Sequence, residues 1–356
     1  MLFVKKNDST YLRLIRAAKK VSKALSKELG DNLLATYVYG SLARGDYRKS
    51  SDVDLHIVLG DYAQADDIPH TKWIGNIPVG VSPHPLAFYK TTPEWILENI
   101  DTAAGWEGLW ELAKIIVLYD PDNLVSSFQE IITPILNNES LLKARANISF
   151  KAAKTEAAKV EKELSEGTLD QALVHMYALG GGGEEYSGAA VHVLKTIVKF
   201  SGLPLTTQRI WLRFMEACHK LNRSELQNLL EDCYGMDQLN RENLQEIVNE
   251  TYNLVNDVIA KSLVPPEAIY NLERFKLAIA EHLERGEIGA AYVYILGGFS
   301  SYFLGLSSEG QQKQIRLKLG ELLCKASGIR SQRELDDRLK ILKNAMNKIQ
   351  KDLLRN

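Results

Sequence analysis

The sequence lacks the features that would assign it to several large classes of protein. Its 356 residues contain only three cysteines, and their spacing fits no metal-binding motif. An odd number of cysteines also argues against a disulfide framework, so free thiols in a reducing compartment are expected. No apolar run approaches the roughly 20 residues that cross a bilayer, and a formal net charge of -2 gives no general attraction to polyanions. We therefore expect a globular cytoplasmic protein that binds neither membranes nor nucleic acids.

The most informative stretch is YVYGSLARGDYRKSSDVDLHIVLG, residues 37–60. Its pattern predicts a strand, a Gly-Ser turn, a short helix at 41–45 and a second strand that carries Asp52 and Asp54. Side chains alternate along a strand, so these two carboxylates are expected on one face. Two carboxylates held side by side just beyond a glycine turn suit a Mg²⁺ ion that carries a nucleoside triphosphate.

The turn itself contains candidate phosphate-binding groups. Gly40 has no Cβ and lets the backbone approach a phosphate. Ser41 and the neighbouring N–H groups can donate hydrogen bonds to phosphate oxygens at the start of the short helix. Arg44 can pair with a triphosphate, and Gly45 allows the chain to turn toward the second strand.

This stretch resembles the active-site signature of the nucleotidyltransferase superfamily with the DNA polymerase β-like fold, in which Gly-Ser is followed after about ten residues by Asp-x-Asp. The long form GSLARGDYRKSSDVDL is similar to that of aminoglycoside adenylyltransferases and minimal nucleotidyltransferases. The resemblance implies transfer of a nucleoside monophosphate, AMP from ATP, to a hydroxyl group, with Mg²⁺ or Mn²⁺ held by Asp52 and Asp54. It also implies nucleotide contacts from Gly40, Ser41, Arg44 and Ser51.

A second resemblance marks the end of this domain. AKIIVLYDPDNLV, residues 113–125, is similar to the last strand and Tyr-Asp-Pro turn of the same adenylyltransferases. We therefore expect an α+β protein: a nucleotidyltransferase α/β domain with a small mixed sheet (1–125), then an all-α helical bundle (126–356) with a subdivision near 264. The resemblance implies that the bundle shapes the acceptor pocket. Lys195 is its candidate nucleotide contact, with a solvated helix lysine as the alternative.

The periodicity of apolar residues predicts the individual elements. In the first domain it predicts a helix at 10–29, strands at 33–39, 54–59, 77–82 and 115–119, a polar loop at 60–73, and helices at 94–99, 106–114 and 125–136. In the remainder it predicts helices at 140–166, 169–179, 188–200, 207–221, 224–231, 241–260, 266–286, 289–296, 311–326 and 332–354. The glycines at 180–183 are interpreted as a turn between helices.

The third strand departs from the superfamily pattern. There a third carboxylate ligates metal or acts as a base, but here the strand reads IPVGVSPHPLAFY, with Gly80 at the expected position. One interpretation is an active enzyme whose base is His84 or an acidic residue from elsewhere. The acidic candidates are Asp66, Asp67, Glu107 and Glu111. A slow enzyme with two carboxylates and a non-catalytic nucleotide-binding or partner-binding protein are the other two interpretations.

The sequence does not identify the molecule that accepts the nucleoside monophosphate. An aminoglycoside-like small molecule would require an acidic cleft, which Glu107, Glu111, Glu184 and Glu185 could supply. A protein acceptor is the alternative. The pattern carries no information on the oligomeric state.

Overall fold

The chain divides into two compact units, Met1–Leu141 and Leu142–Asn356. The computed structural model describes residues 8–178, 187–239, 241–260, 268–299, 317–318, 320–321 and 323–355. The glycine turn predicted at 180–183 lies outside these residues. The first unit includes the helical segment that follows residue 125.

The first unit opens with an amphipathic helix, α1 (Ser9–Leu29), as the sequence predicts. The Asp8 carboxylate caps it by accepting a hydrogen bond from the Tyr11 backbone N–H at 2.7 Å. Gly30, with φ 54°, ends it. The predicted apolar stripe is the buried side of the helix, with Leu14, Ala18, Val21 and Leu25 almost fully buried.

A five-stranded mixed sheet forms the centre of the first unit. Its strands are β1 (Leu33–Tyr39), β2 (Val53–Leu59), β3 (Thr71–Ile74), β4 (Ile77–Pro85) and β5 (Ile116–Tyr119), in the order β3-β4-β2-β1-β5. β2 and β4 run parallel, and the other neighbouring pairs are antiparallel. The small mixed sheet and the α+β class are therefore confirmed.

Short helices complete this unit. They are α2 (Gly40–Arg44), α3 (Leu86–Tyr89), α4 (Pro93–Glu98), α5 (Ile100–Ala103), α6 (Gly108–Glu111) and α7 (Leu124–Ile132). Thr92 caps α4 by accepting a hydrogen bond from the Trp95 N–H at 3.2 Å. α7 is followed by a 3₁₀ turn at Thr133–Asn137 instead of continuing as one helix to residue 136.

Three predictions for this unit were wrong in extent. The loop predicted at 60–73 contains the start of β3, which pairs with β4 through a tight turn at Gly75. β4 continues beyond Ser82 to Pro85, because β3 pairs only with Ile77–Gly80 and the prolines fall on an open edge. The helix predicted at 106–114 is reduced to the single turn of α6.

The two faces of the sheet differ in chemistry because side chains alternate along each strand. One face is apolar and packs in the same core as α1, with Val38, Leu55, Val79 and Val81 buried. On the other face lie Tyr37, Tyr39, Asp54, His56, Gly80, Ser82 and His84, which we call the polar face. The signature residues therefore stand opposite the core.

The described residues of the second unit form helices joined by turns and loops, without strands. Its helices are Glu139–Glu166, which begins in the first unit, Leu169–Tyr177, Ala189–Phe200, Ile210–Leu221, Ser224–Tyr234, Arg241–Ala260, Ala268–Glu284, Ile288–Val293 and Gln332–Ile349. π-helical segments extend the last two at Tyr294–Phe299 and Gln350–Leu354. Apolar side chains from most of these helices form one core cluster. The predicted helical domain is confirmed.

All three cysteines are free thiols in this second unit, and Cys218 and Cys233 are buried. Burial raises the pKa of both thiols to about 12, so they stay protonated at neutral pH. In the part of the chain that the structure describes, no helix has the length and apolar character to cross a membrane.

Candidate active site

The Gly-Ser turn and the Asp-x-Asp strand meet at the end of β1. Gly40 follows Tyr39, which pairs directly with Asp54 across β1 and β2. Gly40 has φ 72°, and a Cβ built there would overlap the Asp54 carboxylate. Only glycine therefore allows the turn to lie against this carboxylate in its observed backbone conformation.

The negative charges of Asp52 and Asp54 both affect the pKa of the Tyr39 hydroxyl. Burial raises the pKa of the Tyr39 hydroxyl well above its usual value, and the charges of Asp54, Glu111 and Asp52 raise it further. The Tyr39 hydroxyl therefore experiences the charges of both signature aspartates. Asp54 lies on the polar face, Asp52 lies one residue before β2, and both aspartates are half-buried.

A hydrogen bond between Ser41 and Ser51 connects the Gly-Ser turn to the loop before the Asp-x-Asp strand. The Ser41 Oγ donates a hydrogen bond to the Ser51 Oγ at 3.2 Å, and the Ser51 Oγ accepts another from the Arg48 N–H at 2.9 Å. These bonds fix the loop that precedes Asp52. Arg44 forms an ion pair with Asp46 at 3.4 Å (Nε to Oδ1), so it would have to exchange or share this partner to bind a phosphate.

Gly80 lies at the position where the third carboxylate is expected. It pairs in register with Asp54 on the parallel strand β4. A Cβ at Gly80 would meet only the Val53 backbone oxygen, at 3.8 Å. The site has room for a side chain here, so the missing carboxylate is a property of the sequence and does not follow from crowding.

Next to the aspartates, a hydrogen-bonded group is built around His56. The Nδ1 atom of His56 lies 2.8 Å from the Tyr37 hydroxyl, which lies 2.7 Å from the Tyr89 hydroxyl. The other ring nitrogen, Nε2, is 3.7 Å from Oε2 of Glu111. Burial, together with His84, holds the pKa of His56 well below its usual value. The His56 ring is therefore neutral at pH 7, and its contact with Glu111 is not an ion pair.

His84, one of the candidate bases, lies further along the polar face from Asp54. It lies four positions after Gly80 on β4, about 13 Å along an extended strand, and its ring packs on the His56 ring at 4.1 Å between centroids. Burial lowers its pKa to about 4. His84 also lines an apolar pocket of about 440 Å³ together with Phe88, Trp106 and Gly108. Its role as a base stays a prediction.

The remaining sequence candidates fall in different places. Asp66 and Asp67 are exposed on a 3₁₀ turn beyond the far end of β2, about 20 Å of strand from its Asp54 end. Lys195 belongs to the second unit, where its Nζ donates a hydrogen bond to the Ser187 Oγ at 3.0 Å. Its predicted contact with a nucleotide stays a prediction.

The residues of the signature fit a metal ion that arrives with its nucleotide. Among the described residues, no group of three or more His, Cys, Asp or Glu side chains is arranged to hold a metal. Mg²⁺, however, commonly uses one or two carboxylates and completes its shell with phosphate oxygens and water. Asp52 and Asp54 beside the Gly40 turn supply such a pair.

The comparison with protein families agrees with this geometry. The model of the family described as Polymerase beta, Nucleotidyltransferase matches residues 19–74, from the second half of α1 to the end of β3. This segment belongs to the nucleotidyltransferase superfamily, as its Gly-Ser and Asp-x-Asp residues predict.

The comparison with known proteins beyond this family adds little. No curated protein matches the chain. Among solved structures, a nucleotidyltransferase-like protein from Exiguobacterium sibiricum 255-15 is 11% identical, with 85% of this chain and 89% of that chain covered and a TM-score of 0.34. A similarity this low carries no argument about fold or function.

Sequence reasoning missed the group around His56. The signal was present, since His56 follows Asp54 by two residues and Tyr37 precedes Tyr39 by two, which places each pair on one strand face. Glu111 was only one of several acidic candidates. Its place beside His56 depends on the packing of α6, which no local pattern specifies.

Proposed function

We propose that the first unit transfers a nucleoside monophosphate, AMP from ATP, to a hydroxyl group of a small-molecule or protein acceptor and releases pyrophosphate. The observation that carries this proposal is the close approach of the Gly40 turn to Asp54. A turn that excludes any side chain beside a carboxylate leaves room for a phosphate and its ion. The coarser class, a nucleotidyltransferase, rests on the family match as well.

The residues would divide the work as follows. The backbone and hydroxyl at Gly40 and Ser41 would hold the triphosphate, and Ser51 would fix the Ser41 hydroxyl. Asp52 and Asp54 would hold Mg²⁺ or Mn²⁺. When bound, such an ion offsets the negative charge that develops on the phosphates. Arg44 would turn from Asp46 toward the triphosphate as the nucleotide binds.

A second function is a nucleotide-binding or partner-binding protein without turnover. The observation that favours it is Gly80, which leaves the position opposite Asp54 without a carboxylate. Such a protein would bind ATP through the same residues and release no pyrophosphate.

The setting and partners follow from the same features. We expect the protein to act in the cytoplasm on small molecules or proteins, because its three cysteines are free thiols and its net charge is -2. Nucleic acid is not expected as the acceptor.

Pyrophosphate release separates the two functions. The measurement would use each nucleoside triphosphate with Mg²⁺ or Mn²⁺, with water, hydroxylated small molecules and cell extract as acceptors. We expect Asp54→Asn to reduce release by about 100-fold or more. The matched control is Asp101→Asn, an exposed aspartate on α5. Nucleotide binding that depends on Asp54 without any release would support the binding protein.

A further inference from the structure

We propose that Glu111 is the catalytic base, in place of the carboxylate that is missing at Gly80. This inference rests on the proposed transferase function. It assigns to one residue the task that the sequence left open among His84 and four acidic side chains.

The placement of Glu111 is the first argument. α6 ends at Glu111 and presents the side chain to the polar face, with Oε2 3.7 Å from Nε2 of His56. His56 is the next residue on that face after Asp54. Glu111 therefore reaches the signature strand from a separate element, one step from the metal-binding aspartate.

The surroundings of Glu111 are the second argument. Its side chain is 31% exposed, whereas the side chain of His56 is 4% exposed. Glu111 is thus partly exposed, so a substrate can reach its carboxylate. The distance of 3.7 Å between Oε2 of Glu111 and Nε2 of His56 is too long for a hydrogen bond.

The neighbouring pocket is the third argument. Gly108, three residues before Glu111 on α6, lines the apolar pocket of about 440 Å³ with His84, Phe88 and Trp106. Residues three apart lie on one side of a helical turn. An acceptor whose apolar part occupies this pocket would lie next to the helical turn that carries Glu111.

The proposed reaction is the attack of the acceptor hydroxyl group on the α-phosphorus of ATP, and the two substrates supply every atom that it needs. The acceptor hydroxyl oxygen forms a bond to the α-phosphorus, and its proton moves to the Glu111 carboxylate. The bond from the α-phosphorus to the bridging oxygen breaks, and pyrophosphate leaves with the bonding electron pair. Glu111 then returns the proton to water. We assign Glu111 the role of base and Asp52 and Asp54 the role of metal ligands, since Mg²⁺ commonly uses one or two carboxylates.

The test compares Glu111→Gln with Glu98→Gln, an exposed glutamate on α4. Pyrophosphate release and the dissociation constant of Mg·ATP would be measured for both, with water and aryl or alkyl alcohols as acceptors. We expect Glu111→Gln to lower kcat by about 100-fold or more and to leave the dissociation constant within about twofold. Its kcat should also lose the decline toward acid pH that a carboxylate base produces.

A rescue variant separates catalysis from damage to the fold. Gly80→Glu combined with Glu111→Gln places a carboxylate opposite Asp54, where a side chain has room. Recovery of at least about tenfold in kcat would support the proposal. A Glu111→Gln variant within threefold of the wild type would overturn it while the transferase function stands. No release by the wild type, despite Asp54-dependent ATP binding, would overturn both.

Discussion

A single residue without a side chain organises the candidate site. The sequence assigned Gly40 to the approach of a phosphate, and the structure adds a second reason, because a Cβ would overlap Asp54. Gly80 is the opposite case, since it has room for a side chain and lacks one. Glycine is thus required at position 40, whereas at position 80 it leaves the site without the expected third carboxylate.

Gly40→Ala tests this steric requirement. Alanine at φ 72° costs about 1 kcal/mol of strain, and its Cβ would displace Asp54. A displacement of about 1 Å at a reacting group can cost about 100-fold in rate. We therefore expect Asp54-dependent pyrophosphate release to fall by that order, as measured by initial rates.

Gly75→Ala is the matched control for Gly40→Ala. Gly75 has φ 63°, but a Cβ there would meet nothing within 4 Å. It should show the same loss of stability and unchanged initial rates. Equal losses of activity in the two variants would mean that backbone strain, and not the contact with Asp54, is responsible.

Among the elements, long periodic ones were predicted well and short ones were not. α1, β1 and β2 agree with their predicted bounds to within one residue, because α1 has an apolar stripe of helical period and β1 and β2 are seven-residue runs that are mostly buried. β3 and α6 have four residues each, too few to display a period. Their formation depends on partners, which are β4 for β3 and the surrounding core for α6.

The last long helix offers a test of local capping. Ser331 and Glu334 form a capping box at the start of Gln332–Ile349: the Ser331 Oγ accepts a bond from the Glu334 N–H at 3.3 Å, and Glu334 accepts one from the Ser331 N–H at 3.1 Å. We expect Ser331→Ala to lower the free energy of unfolding by about 1 kcal/mol. Chemical denaturation followed by circular dichroism measures it.

Ser331→Asn serves as the control because asparagine also caps helices well. It should unfold at nearly the wild-type denaturant concentration. If alanine and asparagine have the same effect, the box does not stabilise this helix.

For the whole molecule, buried neutral histidines predict a dependence of stability on pH. His84 has its pKa lowered from 6.5 to about 4 by burial. Between these values the unfolded chain binds a proton at His84 that the folded chain does not, so the free energy of unfolding falls as the pH falls. The shift corresponds to at most about 3 kcal/mol, and partial exposure of the ring brings the expected value nearer to about 2 kcal/mol.

His84→Gln isolates this contribution. The variant should lose about 2 kcal/mol less than the wild type between pH 7 and pH 4, because the carboxylates titrate in both proteins and removal of His84 also relieves the lowered pKa of His56, which acts in the same direction. Tryptophan fluorescence in urea follows the first unit well, since it holds Trp73, Trp95, Trp106 and Trp110, and the second unit holds only Trp211. Parallel pH profiles of wild type and variant would contradict the prediction.

The sequence by itself determined the parts that depend on neighbours along the chain. Alternation placed Asp52 and Asp54 on one face, and the Gly-Ser turn placed Gly40 before them. The tertiary structure alone decided that Gly80 lies opposite Asp54 and that Glu111 lies beside His56. The physical reason is that strand order and helix packing bring together residues far apart in the sequence, and no local periodicity encodes that choice.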